Sequence, residues 1–165
     1  MAVVFDDYRV LLTLRTDVPV WCLPGGGVEP RESVEQAAVR ETCEETGLQI
    51  EVVRLMGAYS RPNWRRGGDH QIVVEARVVG GEIATSEESC RVEFFSLDNL
   101  PSNLVPWHHL YINDALERKG RHSEPFLRTL EIRWPFDDQD DPRRAVERLV
   151  QSGMSLSMAQ REFNR

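Results

Sequence analysis

Short apolar runs broken by charged or turn residues fill the first half of the chain and set its predicted elements. VVF at 3–5 and RVLLTLR at 9–15 read as strands and suggest an opening hairpin, because they are short, rich in Val and Leu and bounded by polar residues. After Thr16, Asp17 and Pro19, the segment VWCLP leads into Gly25, Gly26 and Gly27, where the chain turns through conformations that glycine adopts cheaply. From Ser33 to Thr46 the pattern becomes helical. Ser33 and Gln36 have capping-box spacing, Glu35 suits the first turn and Gly47 suits the C-terminal stop. EVVRLMGAYS, HQIVVEARVV and SCRVEFFSL return to strand-like runs, joined by loops containing Pro62, Gly67, Gly68, Gly80 and Gly81. Pro106 to Arg118 predicts a second helix, with Pro106 in its first turn and Gly120 past its end. Leu130, Ile132 and Trp134 alternate with Thr129, Glu131 and Arg133, predicting a further strand before the acidic run DDQDD. Asp141 then caps a short helix starting at Pro142 and ending at Gly153, with another short helix after it. The order is mixed α and β, and no fixed-period repeat runs through it.

Composition narrows the class without choosing an activity. At 165 residues, 41% hydrophobic and 28% charged, the chain fits one globular domain with a small appendage. The opening stretch carries Asp6 and Asp7 before Arg9 and does not read as a secretory signal, and no apolar run reaches bilayer length. Cys22, Cys43 and Cys90 form neither a CxxC pair nor a cluster with histidines, and their odd number argues against a disulfide framework. A cytoplasmic location, with no membrane partner, is the expectation. The net charge of −7 disfavours nonspecific nucleic-acid binding, which rests on Lys and Arg meeting phosphates. A small polyphosphate remains open to such a protein when divalent cations stand between its carboxylates and the phosphate oxygens.

The first helix supplies those carboxylates. Glu41, Glu44 and Glu45 lie at i, i+3 and i+4 and so share one stripe, which Val34, Ala37 and Ala38 begin as an apolar face. Like charges at i and i+4 repel, and Arg40 stands one turn from Glu44 as their nearest cation. A solvated acidic face is the ordinary reading of three glutamates alone; a bound cation is the other. The surroundings decide between them. Gly26, Glu32, Arg40, Glu41, Glu44, Glu45 and Gly47 occur with the spacing G-x5-E-x7-R-E-x2-E-E-x-G. At average usage of about 7% per residue, that set coincides by chance roughly once in 10⁸ windows.

The segment GGVEPRESVEQAAVRETCEETGL closely resembles the Nudix box of the Nudix hydrolase family; WCLPGG before it resembles the family's entry, and FFSLDNLP its last strand and following turn. The resemblance covers roughly residues 1–120 and implies an α/β/α sandwich, a mixed sheet between helices. Residues 121–165 are left as a C-terminal extension, packed on the same domain or at a homodimer interface, a reading motivated by Leu149, Val150, Met154, Leu156 and Met158. Thr42 departs from the box, whose pattern has an aliphatic residue there.

The resemblance further implies that Glu41, Glu44 and Glu45 hold Mg2+ or Mn2+, with the backbone carbonyl near Gly26 as another oxygen ligand. Hard cations of this kind prefer oxygen donors and bind substrate phosphates through a few carboxylates. Glu41 is a candidate general base, while Arg40 and Glu32 hold the glutamates in place by ion pairing. Glu88, in SEESC, is a candidate further metal ligand, with Glu87 its competitor and a solvated loop acid the plain alternative. Trp64 could stack on a base, and Arg65, Arg66 and Arg15 could meet phosphates; an exposed loop and a surface arginine are the alternatives. His108 and His109, adjacent on a helix, read as packing or surface residues, and Cys43 as a thiol on the side away from the glutamates. The expected reaction is magnesium-dependent hydrolysis of the pyrophosphate bond of a nucleoside diphosphate linked to another moiety: an ADP-ribose-like compound, a nucleotide sugar or a nucleoside triphosphate. The alternative is a catalytically silent ligand sensor or interaction module on the same fold.

Overall fold

The two opening runs form β1 (Ala2–Asp6) and β2 (Arg9–Arg15) of a computed structural model that describes residues 1–62, 68–118 and 124–130. They pair as an antiparallel hairpin turned at Asp7 and Tyr8, where Asp7 takes φ of 53°, a left-handed value that Asp tolerates better than most residues. Then follow β3 (Trp21–Cys22), α1 (Val34–Thr46), β4 (Leu48–Arg61), β5 (Asp69–Gly81), β6 (Ser89–Ser96), α2 (Pro106–Glu117) and β7 (Phe126–Thr129).

The strands make one mixed sheet in the order β3-β2-β1-β5-β4-β7, with β6 pairing along β2. β1 runs parallel to β5 and β7 parallel to β4, while the other pairs are antiparallel. Successive strand residues point to opposite faces, so the sheet feeds two cores. Val3, Phe5, Val10, Leu12, Tyr59 and Val73 meet Tyr111, Ile112 and Ala115 of α2 on one side. On the other, Ala2, Val4, Leu11, Ile50, Val74 and Ala76 meet Ala38 of α1. The helix-sheet-helix sandwich is therefore present, and the loop after β3 leads straight to α1.

β7 lies just before the alternation read at Leu130, Ile132 and Trp134 and was not foreseen from the sequence. Its inward residues are Phe126 and Arg128: the Arg128 guanidinium lies over the Phe126 ring and pairs with buried Asp114 at 2.7 Å, while Leu127 faces outward. Arg128 inward and Leu127 outward thus reverse the usual polarity, while Phe126 and Thr129 keep it. Gly57 permits the close pairing, since a Cβ there would stand 2.3 Å from the Phe126 carbonyl oxygen. Leu130 follows the strand, and the remaining positions of that alternation, the helix capped by Asp141 and the rest of residues 131–165 lie outside the described residues. Among the described residues, no helix is long and apolar enough to cross a membrane.

Candidate active site

The capping box forms as its spacing requires: Ser33 Oγ accepts from the Gln36 N–H at 3.1 Å, and Gln36 Oε1 accepts from the Ser33 N–H at 2.8 Å. Gly47 ends the helix at φ of 74°, in the left-handed region. Between these caps, Ala37, Ala38, Thr42 and Thr46 form the buried ridge of α1. Glu41 and Glu45 flank that ridge instead of facing bulk water, whereas Glu44 is 60% exposed and Glu41 only 16%. Thr42 fits the ridge by shape, but its hydroxyl finds no hydrogen-bond partner among the described residues.

Arg40 organises the acidic side of the helix. Its guanidinium donates to both oxygens of Glu32 at 2.8 and 3.0 Å, to Glu41 Oε1 and Glu44 Oε2 at 3.0 Å each, and to the Gly27 carbonyl at 3.0 Å. One cation thus ties the end of the glycine loop to the helix. Its hydrogen bond to Glu32 is the largest reason that the Arg40 pKa is raised, and the same bond, helped by the Glu29 N–H, holds the Glu32 carboxyl below its ordinary value. Glu41 and Glu44 each meet Arg40 through one oxygen, which leaves a second oxygen on each for another cation.

Glu45 is the strained member. Burial raises its carboxyl from 4.5 to about 7, against the lowering effect of a hydrogen bond from the Gly25 N–H; the neighbouring charges of Glu41 and Glu88 raise it further. That Gly25 bond is 3.2 Å long. Arg15 pulls the Glu45 value down from nearby, although its fork is taken by Asp17 at 2.8 and 2.7 Å. Gly26 closes against Glu41 so tightly that a Cβ would lie 2.4–2.6 Å from the three atoms of the carboxylate group. An alanine there would push the Glu41 carboxylate, the end of a flexible side chain, away from the loop backbone.

Glu41, Glu88 and Arg15 thus all act on the charge of Glu45, the Gly25–Gly26 backbone touches Glu45 and Glu41, and Glu44 stands exposed on the same helix. Among the described residues, no group of three or more His, Cys, Asp or Glu stands at ligating separation, since Arg40 draws Glu41 and Glu44 and Gly25 draws Glu45. The donor chemistry nonetheless fits a hard divalent ion. The site offers carboxylate and carbonyl oxygens, a glycine cradle and a half-buried carboxyl pushed up first by burial and then by the charges of Glu41 and Glu88, a repulsion that a cation would relieve. Trp64, Arg65 and Arg66 lie outside the described residues.

Two contributors were not foreseen from the sequence. The Gly25 N–H on Glu45 could have been sought in the glycine run, where backbone donors approach closely. His108 gave no such signal. It is 3% exposed, and its Nδ1 accepts from the Leu23 N–H at 3.0 Å across 85 residues of chain. Burial, with the charge of Arg61 next in weight, pushes its pKa well below the ordinary histidine value. Cys22 is buried beside Thr13, and burial raises its thiol to about 11, which keeps it protonated near neutral pH; Cys43 is exposed on the far side of α1.

The family model described as NUDIX domain matches residues 1–115. A Methanocaldococcus jannaschii protein named ADP-ribose pyrophosphatase is 40% identical over 122 residues, 72% of this chain and 72% of that protein. A Bacillus subtilis (strain 168) protein provisionally named 8-oxo-dGTP diphosphatase is 39% identical over 110 residues, 66% of this chain and 72% of its own. Among solved structures, an ADP-ribose pyrophosphatase from Streptococcus suis 89-1591 superposes with a TM-score of 0.65 at 28% identity, covering 78% of this chain and 94% of that one.

Proposed function

We propose that this chain, which belongs to the Nudix family and is a pyrophosphohydrolase, uses Mg2+ or Mn2+ to hydrolyse a nucleoside diphosphate linked to a further group, with an ADP-ribose-like compound as its substrate class. The observation that carries the metal reading is Glu45, a poorly solvated carboxyl within reach of the charges of Glu41 and Glu88, where a cation would relieve the repulsion. The substrate class is supported by two similar proteins, one curated and one of solved structure, that bear the ADP-ribose pyrophosphatase name.

Glu41, Glu44, Glu45 and the Gly26 carbonyl would hold the ion, with Glu88 the candidate for a further one. A bound divalent ion neutralises phosphate charge and lowers the pKa of a coordinated water. The protein's own part is to hold the diphosphate in line with an attacking water, exclude bulk solvent and accept a proton. Arg40 keeps Glu41 and Glu44 at fixed positions on the helix, each through one oxygen. Glu41 is the candidate base, because the Gly26 cradle fixes its carboxylate against the loop where the diphosphate would sit. Arg15, in the electrostatic field of Glu45, is the candidate phosphate contact, and Trp64, Arg65 and Arg66 complete the substrate-binding reading. Water attack on one phosphorus breaks the anhydride bond and gives a nucleoside monophosphate and a phosphorylated remainder.

Residues 121–165 belong to the same reading as a packing or homodimer segment. Deleting residues 137–165 should then change either the mass of the native particle or substrate affinity. The function itself is tested by product analysis across ADP-ribose, nucleotide sugars, dinucleotides and nucleoside triphosphates, each with Mg2+ and with Mn2+. Preferred turnover of ADP-ribose to AMP and ribose phosphate supports the substrate class; preference for a triphosphate, with pyrophosphate release, moves the assignment to the other branch. Tight ADP-ribose binding with no turnover of any compound would support the ligand sensor.

A further inference from the structure

The loop that carries Gly25 and Gly26 has little regular structure to hold it. β3 ends at Cys22, and Pro24 has no N–H to donate. The backbone is instead fixed point by point. The Trp21 N–H donates to the Asn103 carbonyl at 3.1 Å, and the Trp21 carbonyl accepts from the Val105 N–H at 2.9 Å. The Pro24 carbonyl accepts from the Ala2 N–H at 2.9 Å. Between these, the Leu23 N–H donates to His108 Nδ1, and the next backbone donor along the chain, the Gly25 N–H, donates to Glu45. His108 sits on the first turn of α2, packed against the ring of Tyr111 with centroids 5.4 Å apart. Leu23 itself is 1% exposed. No solvent replaces an acceptor lost there, and an unpaired buried N–H costs enough to make the loop rearrange.

We propose that His108 is a positioning residue for the carboxylates of α1. By accepting from Leu23 it sets the path of the loop so that the Gly25 N–H reaches Glu45 and the Gly26 backbone lies against Glu41. This rests on the reading of those carboxylates as the metal site. His108 touches neither the carboxylates nor a substrate; it acts through two peptide units. The opposite helix of the sandwich thereby holds the metal-binding loop, so α2 contributes to the site without presenting a side chain to it. The bond also requires the neutral ring with its proton on Nε2, because Nδ1 must be free to accept.

Two substitutions separate positioning from packing. His108→Phe keeps a ring of similar shape and removes the acceptor, whereas His108→Asn keeps an acceptor at the Nδ1 branch and removes most of the ring. Both would be read in the metal-free protein by amide hydrogen exchange at Gly25, and then by Mn2+ titration. His108→Phe should lose Gly25 protection and bind Mn2+ about 10- to 100-fold more weakly, as is typical when a support of a metal ligand is removed. His108→Asn should retain Gly25 protection and Mn2+ affinity within about threefold of the wild type, whatever its melting temperature. A folded His108→Phe protein with wild-type Gly25 protection and Mn2+ affinity would overturn the proposal, as would an Asn variant as defective as Phe. If the wild type itself failed to bind Mn2+, the metal reading would fall by that result alone, while a Gly25 response to the two variants would still establish that His108 sets the loop.

Discussion

Replacing Glu45 with Gln should stabilise the protein when metal is absent. The Glu45 carboxyl is raised from 4.5 to about 7, with burial the first cause and the charges of Glu41 and Glu88 adding to it. A folded-state value above the unfolded one means that the folded protein holds this proton more tightly. The associated stability is fully present below pH 4.5, is lost as pH rises towards 7, and stays lost above it. At about 1.36 kcal/mol per pH unit, the full shift corresponds to roughly 3 kcal/mol. Residual solvent contact and relaxation around the side chain reduce this to about 2–3 kcal/mol, or a rise in melting temperature of roughly 4–10 °C for a chain of this size. Gln keeps an oxygen to accept from the Gly25 N–H and cannot ionise, so it removes the cost without removing the bond. Urea unfolding of both proteins in EDTA, at half-unit steps from pH 4.5 to 8.5, gives the difference directly. The expected curve starts near zero, climbs between 4.5 and 7 and then flattens. A difference that stayed flat across the range, or a variant less stable than wild type at pH 8, would refute the account of Glu45 as a buried, unfavourably ionised carboxylate.

Three further substitutions test other parts of the site and its support. Thr42→Val should raise stability by about 1 kcal/mol, since it keeps the shape of the ridge and removes a buried hydroxyl that lacks a partner among the described residues; a loss measured by urea unfolding would contradict this. Gly26→Ala should leave the far-ultraviolet dichroism unchanged, because Gly26 is not at a positive φ, yet lower Mn2+ affinity and turnover by at least about tenfold, because the new methyl group collides with the Glu41 carboxylate. Asp114→Ala should cost roughly 2–4 kcal/mol in urea, since buried Asp114 accepts from the Tyr59 hydroxyl at 2.9 Å and from Arg128 at 2.7 Å and both donors would be stranded.

The parts of the molecule that were legible in the sequence are those fixed by local chemistry. The capping box at Ser33 and Gln36, the stop at Gly47 and the short apolar runs of β1, β2, β4, β5 and β6 each depend on neighbours within a few residues, and each element formed at or within a few residues of its run. The stripe of Glu41, Glu44 and Glu45 was legible for the same reason, as was Arg40 one turn away. Long-range partners were not. Nothing local announces that His108 accepts from Leu23, or that an arginine at position 128 points inward because Asp114 waits on α2. Nor does spacing show that the Gly25 N–H meets Glu45, since it fixes which face a side chain leaves from but not where its carboxylate settles.

The most direct test of metal-dependent pyrophosphate hydrolysis at the carboxylates of α1 is turnover of ADP-ribose followed by phosphorus NMR across a Mg2+ titration, for the wild type beside Glu41→Gln and Glu45→Gln. The account predicts that AMP and ribose phosphate appear only with metal, that turnover saturates as Mg2+ rises, and that both variants, folded by circular dichroism, lose at least about 100-fold in rate. Turnover that persists in EDTA, or that survives in both variants at the wild-type rate, would contradict it.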